Sequence, residues 1–164
     1  LNDIAVVYTL FNRYPEVAKY HMSCFVETEA GRDHRWCMDC SVCSKMYLLI
    51  KASGFDPDSV GLSRNMLSDE MRSYFSLFGG VDVNTYALTG RGRDEQLFAF
   101  YLAWKNGDQS PLVKEFESRF LDEAQAREDE LYKTFFGIHE SITLPSEVKN
   151  NVMSIYKEAL NDVP

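Results

Sequence analysis

All four cysteines of this chain fall within twenty residues, in the stretch CFVETEAGRDHRWCMDCSVC that runs from Cys24 to Cys43. Their spacing is C-x12-C-x2-C-x2-C, so that Cys40 belongs to two overlapping C-x-x-C pairs, one with Cys37 and one with Cys43. Short turns of this kind direct thiolates toward one point, and a tetrahedral zinc ion takes four such ligands at about 2.3 Å. The sequence therefore predicts a zinc site made of Cys24, Cys37, Cys40 and Cys43, with no cysteine left over.

Three other interpretations of the four thiols stay open at this stage. Disulfide bonds form in oxidising compartments, and no secretory signal is visible in this acidic chain, which argues against them. An iron–sulfur cluster uses similar pairs of cysteines, and the third alternative is four buried cysteines without any ligand. Zinc is favoured because the four ligands are all local and none is spare.

Four cysteines would complete the coordination sphere of a zinc ion and leave no position for a reactive water. The zinc is therefore expected to be structural rather than catalytic. It would connect the first helix to the helix that starts at Ser41, across a segment with few apolar residues, and its removal should unfold that part of the domain.

Composition predicts one globular domain over residues 1–164, with 45% hydrophobic and 13% aromatic residues and a core rich in rings. The formal net charge of −8 argues against a general nucleic-acid surface and against an anionic membrane surface. No apolar run approaches the roughly 18–20 residues that a membrane span needs. We therefore expect a cytoplasmic protein. The start at Leu1, not at Met, favours a piece of a larger protein.

The spacing of apolar residues predicts a mainly α fold with about six helices and no convincing sheet. Residues 81–95 are predicted as a loop, with a short strand at Val81–Val83. In the last helix, Val148, Val152, Ile155 and Ala159 are predicted to face inward. The predicted helices span 3–14, 41–53, 63–78, 94–106, 111–136 and 145–160.

Two arginines in the segment TGRGRDE, residues 89–95, form the second candidate site. Arg91 and Arg93 could contact a nucleotide phosphate or an acidic substrate just ahead of a helix that is predicted to start at Asp94. The alternative is a solvated turn whose arginines pair with nearby acids. His34 could replace one cysteine as a metal ligand, although four thiols already suffice.

The segment from Arg35 to Met46, RWCMDCSVCSKM, preceded by Ser23-Cys24, resembles the zinc-binding tail of PP-loop ATP pyrophosphatases. It is most similar to the UDP-N-acetylmuramoyl-alanyl-glutamate epimerases, whose tail reads R-W-C-x-x-C-x-x-C-x-F, and more distantly to the 7-cyano-7-deazaguanine synthases. The flanking segments LNDIAVVYTLFNRYPEV and FDPDSVGLSRNMLSDE resemble that family too, so the likeness covers roughly residues 1–104.

This resemblance implies a C-terminal domain of an ATP- and magnesium-dependent adenylating enzyme, whose partner would be an N-terminal nucleotide-binding domain of the same protein. The zinc domain would then brace the nucleotide domain or place the substrate. The phosphate-binding S-G-G-x-D-S turn is absent from these residues, and residues 89–98 lack the His, Pro and Cys of the epimerase segment, which argues against epimerase activity. The alternative is a non-enzymatic zinc-binding module that binds a protein partner.

Overall fold

The computed structural model describes residues 2–24, 35–139 and 143–161. Within these ranges the chain is helical and contains no β-strand, so the predicted mainly α class is confirmed. Four short 3-10 helices, η1 to η4, accompany the α-helices at Pro57–Val60, Asp69–Tyr74, Ser76–Phe78 and Thr85–Leu88. The α-helices are α1 (Asp3–Arg13), α2 (Pro15–Ala18), α3 (Ser41–Ala52), α4 (Gly90–Lys105), α5 (Pro111–Ala126), α6 (Glu128–Phe135) and α7 (Ser146–Leu160).

Helix α4 forms the centre of the core, with α3 and α5 packed against it. Seven consecutive residues of this helix, from Leu97 to Ala103, are buried, so neighbours surround it on all sides. Phe98 packs against Tyr132, Phe135 and Phe136. The predicted ring-rich core is therefore confirmed, and it lies around α4.

A second group of rings surrounds Phe100, whose side chain contacts Phe75 at 5.2 Å and Phe78 at 5.1 Å between ring centroids, both edge-to-face. Phe116 of α5 stacks on Phe100 from the other side, at 6.0 Å. Aromatic pairs of this kind add about 0.5–1.5 kcal/mol each beyond the burial of their area. They fix the 3-10 segment η2–η3 against α4 and α5.

The first two predicted helices are confirmed within a residue or two. Helix α1 ends at Arg13 because Pro15 opens the separate short helix α2. Helix α3 starts at Ser41 and buries Cys43, Tyr47 and Ile50, as the spacing predicts. Gly54 follows the end of α3 with φ of +82°, a conformation that glycine adopts without steric cost.

The predicted helix over 63–78 is wrong, although most of the apolar side chains of this segment are buried. The segment instead forms η2 and η3, because the Leu67 N–H donates to Asn65 Oδ1 at 2.9 Å and the Leu67 carbonyl accepts from Leu112 N at 3.0 Å. These two bonds take the backbone groups that a helix would pair internally. Leu67, Met71, Phe75 and Phe78 still reach the core.

The predicted boundaries around α4 are also wrong. Helix α4 begins at Gly90, not at Asp94, because the Thr89 side chain accepts a hydrogen bond from Gly92 N and caps the helix there. Residues 85–88 form η4, and the predicted strand at Val81–Val83 does not form. The segment TGRGRDE is therefore the first turn and a half of a helix rather than a loop.

The predicted long helix over 111–136 is divided in two at Arg127. Helix α5 starts at Pro111 after Ser110, as predicted, and ends at Ala126. Arg127 has φ of −111° and ψ of 11°, outside the helical region, and α6 follows it. The guanidinium of Arg127 forms a bidentate pair with Asp94, both bonds at 2.8 Å, which ties this break to α4.

Helix α7 spans the predicted region, but its predicted inward face is buried only in part: Val152, Ile155 and Ala159 are intermediate in exposure and none reaches the core. None of its residues is buried, and Val148 is 42% exposed, because α7 contacts α1 at the surface instead of entering the core. The ion pair between Arg13 and Glu158, at 2.8 Å, joins the two helices. Among the described residues, no helix is long and apolar enough to cross a bilayer.

Candidate metal centre

The four cysteine sulfurs come together in one cluster. The Sγ atoms of Cys24, Cys37, Cys40 and Cys43 all lie within 4.8 Å of one another, and those of Cys37 and Cys43 are 3.7 Å apart. Four sulfurs around a tetrahedral ion with bonds of about 2.3 Å are separated by roughly 3.8 Å. The group can therefore hold a metal ion with little movement of the protein.

The start of helix α3 positions two of the sulfurs. Cys40 is the N-cap residue of α3, and its Sγ accepts a hydrogen bond of 3.4 Å from the backbone N–H of Cys43. Cys43 lies in the first turn of the helix and is buried against the core. The positive end of the helix dipole favours negative sulfur at this place.

Cys37 and Cys24 approach from two different segments. Cys37 precedes α3 by a tight turn, whereas Cys24 belongs to residues 21–24, which follow α2. Both are half-buried and pack against the core. A metal ion at the cluster would therefore connect the end of the α1–α2 segment to the start of α3, as the sequence predicts.

The backbone of the cysteine turn contains two residues in the left-handed region. Arg35 has φ of +65° and Met38 has φ of +56°, although neither is glycine. This conformation costs free energy for a side chain with a Cβ, of the order of 1 kcal/mol each. Strain of this kind is typical of functional sites, and at Met38 it lets Cys37 and Cys40 turn toward the same point.

Three side chains that sequence reasoning missed hold the turn in place. Trp36 is fully buried and its Nε1 donates to the carbonyl oxygen of Val60 at 2.8 Å. Arg64 donates to the carbonyl oxygen of Met38 at 3.1 Å. The Tyr74 hydroxyl donates to the carbonyl oxygen of Asp39 at 3.1 Å. The sequence predicts Arg64 and Tyr74 on a helix over 63–78, so no local signal links them to the cysteines.

The thiols of Cys37, Cys40 and Cys43 have shifted pKa values. A hydrogen bond from the Cys43 thiol lowers the pKa of Cys40 to about 5. Burial acts in the opposite direction, and the backbone N–H of Cys43 lowers the pKa further. Burial raises the pKa of Cys37 to about 11, although the backbone N–H of Asp39 acts in the opposite direction. The hydrogen bond to Cys40 and then burial raise the pKa of Cys43. Negative charge is thus concentrated on Cys40, where a cation would be attracted.

The geometry bears on the alternatives to zinc. A disulfide requires a sulfur–sulfur distance of about 2.05 Å, and the cysteines here are free. Zinc and iron–sulfur clusters both accept four thiolates, so the choice between them is chemical and is taken up below. His34, the proposed substitute ligand, lies outside the described residues.

The two candidate arginines, Arg91 and Arg93, have different partners in the structure. Arg93 forms a bidentate ion pair with Glu123 of α5, at 2.8 and 2.9 Å, which fits the interpretation of arginines paired with acids. Arg91 instead lies at a pocket, where its Nη2 donates to Asn2 Oδ1 at 2.9 Å. The prediction that these arginines bind a phosphate or a substrate stays a prediction.

Two of the three histidines lie in the described residues. His21 is near the cluster in the chain, and burial lowers its pKa. Its Nε2 is 3.3 Å from Met46 Sδ and 3.2 Å from Ser23 Oγ. The Nε2 of His139 lies 3.3 Å from the carbonyl oxygen of Thr134, far from the cysteines in sequence.

Comparisons of the chain with protein-family models, with curated proteins and with solved structures found no match. The functional conclusion therefore depends on the chemistry of the sulfur cluster and on the pockets of this fold.

Proposed function

We propose that this chain is a zinc-binding domain in which one structural zinc ion is held by Cys24, Cys37, Cys40 and Cys43. The observation that supports the proposal is the approach of all four sulfurs to within 4.8 Å. The donor set is all thiolate, which zinc accepts readily, and four ligands leave no position open for catalysis. The role of the ion is to hold the start of α3 against the segment that follows α2.

The protein environment suits a permanent metal site. The cluster packs against the core, the helix dipole of α3 acts on Cys40, and Trp36, Arg64 and Tyr74 fix the turn between the ligands. Residues around a metal site that orient its ligands commonly change affinity by about 10–100-fold when they are removed. These contacts support a site that is formed before the ion binds.

Metal analysis of the purified chain tests this proposal. We expect one zinc per chain in the natural protein and in Ser41→Ala, a control that changes the residue next to Cys40 but keeps all four thiols. Cys40→Ser should lose the ion or bind it far more weakly. Purification without oxygen and with iron supplied gives the iron–sulfur alternative its best chance, and a visible absorption band with bound iron would overturn the zinc assignment.

A chain that is metal-free after purification in the presence of zinc, and that unfolds cooperatively with the same midpoint with and without a chelator, would also contradict the proposal. In that case the cysteines would be a buried thiol cluster without a ligand.

We further propose that this domain serves an ATP-dependent enzyme of the PP-loop type, in which it braces the nucleotide-binding domain or places the substrate. Support comes from the resemblance of Arg35–Met46 to the tail of that family. The test is the complete coding sequence: an S-G-G-x-D-S turn after a strand, upstream of Leu1, favours the enzyme. The chain alone should not bind ATP with magnesium, whereas a product that includes the turn should.

The alternative, a zinc-stabilised module that binds a protein partner, is favoured by one observation. Val17, Tyr20 and Met22 are large apolar side chains that are 60%, 70% and 55% exposed, and they immediately precede Cys24. Exposed apolar groups that cluster in this way are typical of interaction surfaces. A coding sequence that starts at or near Leu1 would favour this alternative over the enzyme.

A further inference from the structure

A polar pocket of about 430 Å³ lies where the N-terminal ends of α1 and α4 meet, and no cysteine lines it. Its volume falls within the roughly 300–1,000 Å³ of small-molecule sites. The lining residues are Asn2, Asp3, Tyr86, Arg91 and Glu95. Three of them carry formal charge at neutral pH, so a ligand of this pocket must be polar.

Glu95 is the most unusual residue of the pocket. It is only 2% exposed, its Oε2 lies 3.1 Å from Lys45 Nζ, and its Oε1 has no hydrogen-bond partner among the described residues. A buried carboxylate oxygen without a donor costs free energy of about 1–3 kcal/mol or more. Glu95 lines the pocket, and its Oε1 is an unsatisfied acceptor with almost no accessible surface, which a ligand's N–H group would satisfy once the carboxylate turns toward the pocket.

Glu95 also borders a second cavity, of about 10 Å³, whose other walls include Leu48, Leu49 and Phe75. That volume is at the lower limit for one water molecule. A ligand larger than water can reach the carboxylate only from the side of the larger pocket.

Arg91 supplies the opposite charge one helical turn away. Residues four apart on a helix are neighbours and often form an ion pair, yet among the residues that the structure describes no ion pair joins Arg91 to Glu95. Arg91 is held instead by Asn2 Oδ1, at 2.9 Å, and by the ring of Phe135, whose centroid is 5.8 Å from the guanidinium carbon. The two charges line the same pocket without neutralising each other.

The charges around the pocket balance. Lys45 lies between Asp3 Oδ2, at 2.6 Å, and Glu95 Oε2, at 3.1 Å. Two carboxylates and two cations therefore give no net charge. A phosphate dianion would be repelled by the two carboxylates, whereas a molecule with one charge of each sign fits.

The N-terminal ends of two helices favour one orientation of a ligand in the pocket. Asn2 and Asp3 are at the start of α1, and Arg91 is in the first turn of α4. Helix N-termini favour negative groups. The anionic end of a ligand is thus favoured beside Arg91 and Asn2, and its cationic end beside Glu95, which lies deeper.

We propose that this pocket binds a small zwitterion of amino-acid size, with its ammonium group donating to Glu95 Oε1 and its carboxylate accepting from Arg91. This inference does not depend on zinc or on the PP-loop assignment, because none of the lining residues is a cysteine and the argument uses only the contacts and charges around the pocket. A free amino acid has the required chemistry, because it carries one ammonium group and one carboxylate.

The experiment is a titration of the metal-loaded chain with a panel of free amino acids, followed by the backbone amide resonances of Gly90 and Gly92. For each amino acid that binds, the matched amine without a carboxylate and the matched acid without an amine are titrated too. We expect saturable binding by at least one amino acid. Each single-charge analogue should bind at least about tenfold more weakly, which corresponds to the loss of one charge-assisted hydrogen bond.

Two variants and one control assign the binding to this pocket. Glu95→Gln and Arg91→Gln should each weaken binding about tenfold or more. Arg93→Gln changes an arginine of the same helix whose partner is Glu123, and it should leave the affinity unchanged. Arg91 is exposed, so Arg91→Gln remains informative even if the buried Glu95→Gln variant folds poorly.

Three outcomes overturn the proposal. The first is that no amino acid of the panel binds saturably, in which case water alone satisfies Glu95. The second is that Arg91→Gln and Glu95→Gln leave the affinity unchanged. The third is that inorganic phosphate binds more tightly than every zwitterion, which would make this an anion site. The metal content, measured on the same samples, shows separately whether the zinc proposal holds.

Discussion

The Nε1 of Trp36 donates a hydrogen bond of 2.8 Å to the carbonyl oxygen of Val60, and so joins the cysteine turn to the end of η1. Trp36 is fully buried and lies directly before Cys37, so the position of this ligand depends on how the indole packs. The same carbonyl also accepts from Arg35, at 3.4 Å. One backbone oxygen thus anchors the two residues that lead into the metal ligands.

Trp36→Phe should weaken both the fold and the metal site. The variant keeps an aromatic ring but loses the N–H donor and some buried volume, so we expect the free energy of unfolding to fall by about 2–3 kcal/mol. Zinc affinity should fall as well, because Cys37 is less firmly held. Urea denaturation of the zinc-loaded protein and a competition titration with a chelator measure the two effects.

Trp104→Phe is the matched control for this change. Trp104 is half-buried and stacks on Tyr101 at 6.0 Å, away from the cysteines in sequence. Trp104→Phe should lower the free energy of unfolding by less than Trp36→Phe does, and it should leave zinc affinity unchanged. Equal losses of zinc affinity in the two variants would show that Trp36 has no special part in holding the turn.

Removal of the metal should loosen one part of the protein first. The sulfur cluster holds residues 21–24 and the start of α3, whereas Phe98, Phe100 and Phe116 are buried around α4 and contact other aromatic rings. Proteins open in separate units whose stability follows their local packing. We expect a chelator to abolish amide exchange protection near Cys40 and Cys43 before it affects α4. A uniform loss of protection along the chain would contradict this expectation.

Two glycines of α4 make a second matched pair. A Cβ added to Gly92 would overlap the carbonyl oxygen of Tyr86 and lie 2.8 Å from Ala87 Cα, whereas a Cβ at Gly90 meets nothing within 4 Å. Gly92→Ala must therefore push η4 away from α4. We expect a loss of at least about 2 kcal/mol in the free energy of unfolding, and the additional loss of the Thr89 cap would increase it.

Gly90→Ala should be neutral or slightly stabilising, because alanine restricts the unfolded chain and no atom blocks its methyl group. Thermal denaturation of both variants provides the comparison. If Gly92→Ala unfolds at the temperature of the natural protein, η4 does not need its close approach to α4. Because Tyr86 lines the polar pocket, the same variant should also weaken any zwitterion bound there.

The sequence was sufficient to predict structure that depends on residues close together in the chain. The four cysteines predict their own cluster because their spacing alone brings the sulfurs within reach of one ion. Helix α3 was predictable because Cys43, Tyr47 and Ile50 repeat at the helical period and face the core. Pro111 after Ser110 marks the start of α5 for the same kind of reason, since both residues act on the adjacent backbone.

The sequence was insufficient where distant residues decide the backbone. The periodic residues 63–78 do not form an α-helix because Leu112, more than forty residues away, takes the carbonyl of Leu67. The break at Arg127 coincides with a side chain that reaches Asp94 on another helix. In the same way, the pocket of Arg91 and Glu95 needs Asn2 and Asp3, which only the folded chain brings to the start of α4.

The pair of Asp108 and Lys51 allows a prediction of pH dependence. Asp108 Oδ2 lies 3.1 Å from Lys51 Nζ, and Oδ1 accepts from Ser110 N at 2.8 Å, just ahead of α5. Burial alone would raise the pKa of Asp108, but the hydrogen bonds from Ser110 and then from Lys51 outweigh burial and lower its pKa below the usual 3.8. The folded state therefore holds this carboxylate ionised to lower pH than the unfolded state does.

A lowered folded-state pKa contributes stability that is fully present above the unfolded pKa and is lost as pH falls through the folded value. We compare the free energy of unfolding of the natural protein with that of Asp108→Asn, which cannot ionise. The difference should be about 1.5 kcal/mol near neutral pH, and it should shrink below about pH 4. Acid also removes metal from thiolates, but both proteins keep the same cysteines, so that effect largely cancels in the difference. A difference that stays constant between pH 6 and pH 3 (approximate limits set by the usual carboxyl pKa) would mean that the ionisation of Asp108 does not stabilise the junction of α4 and α5.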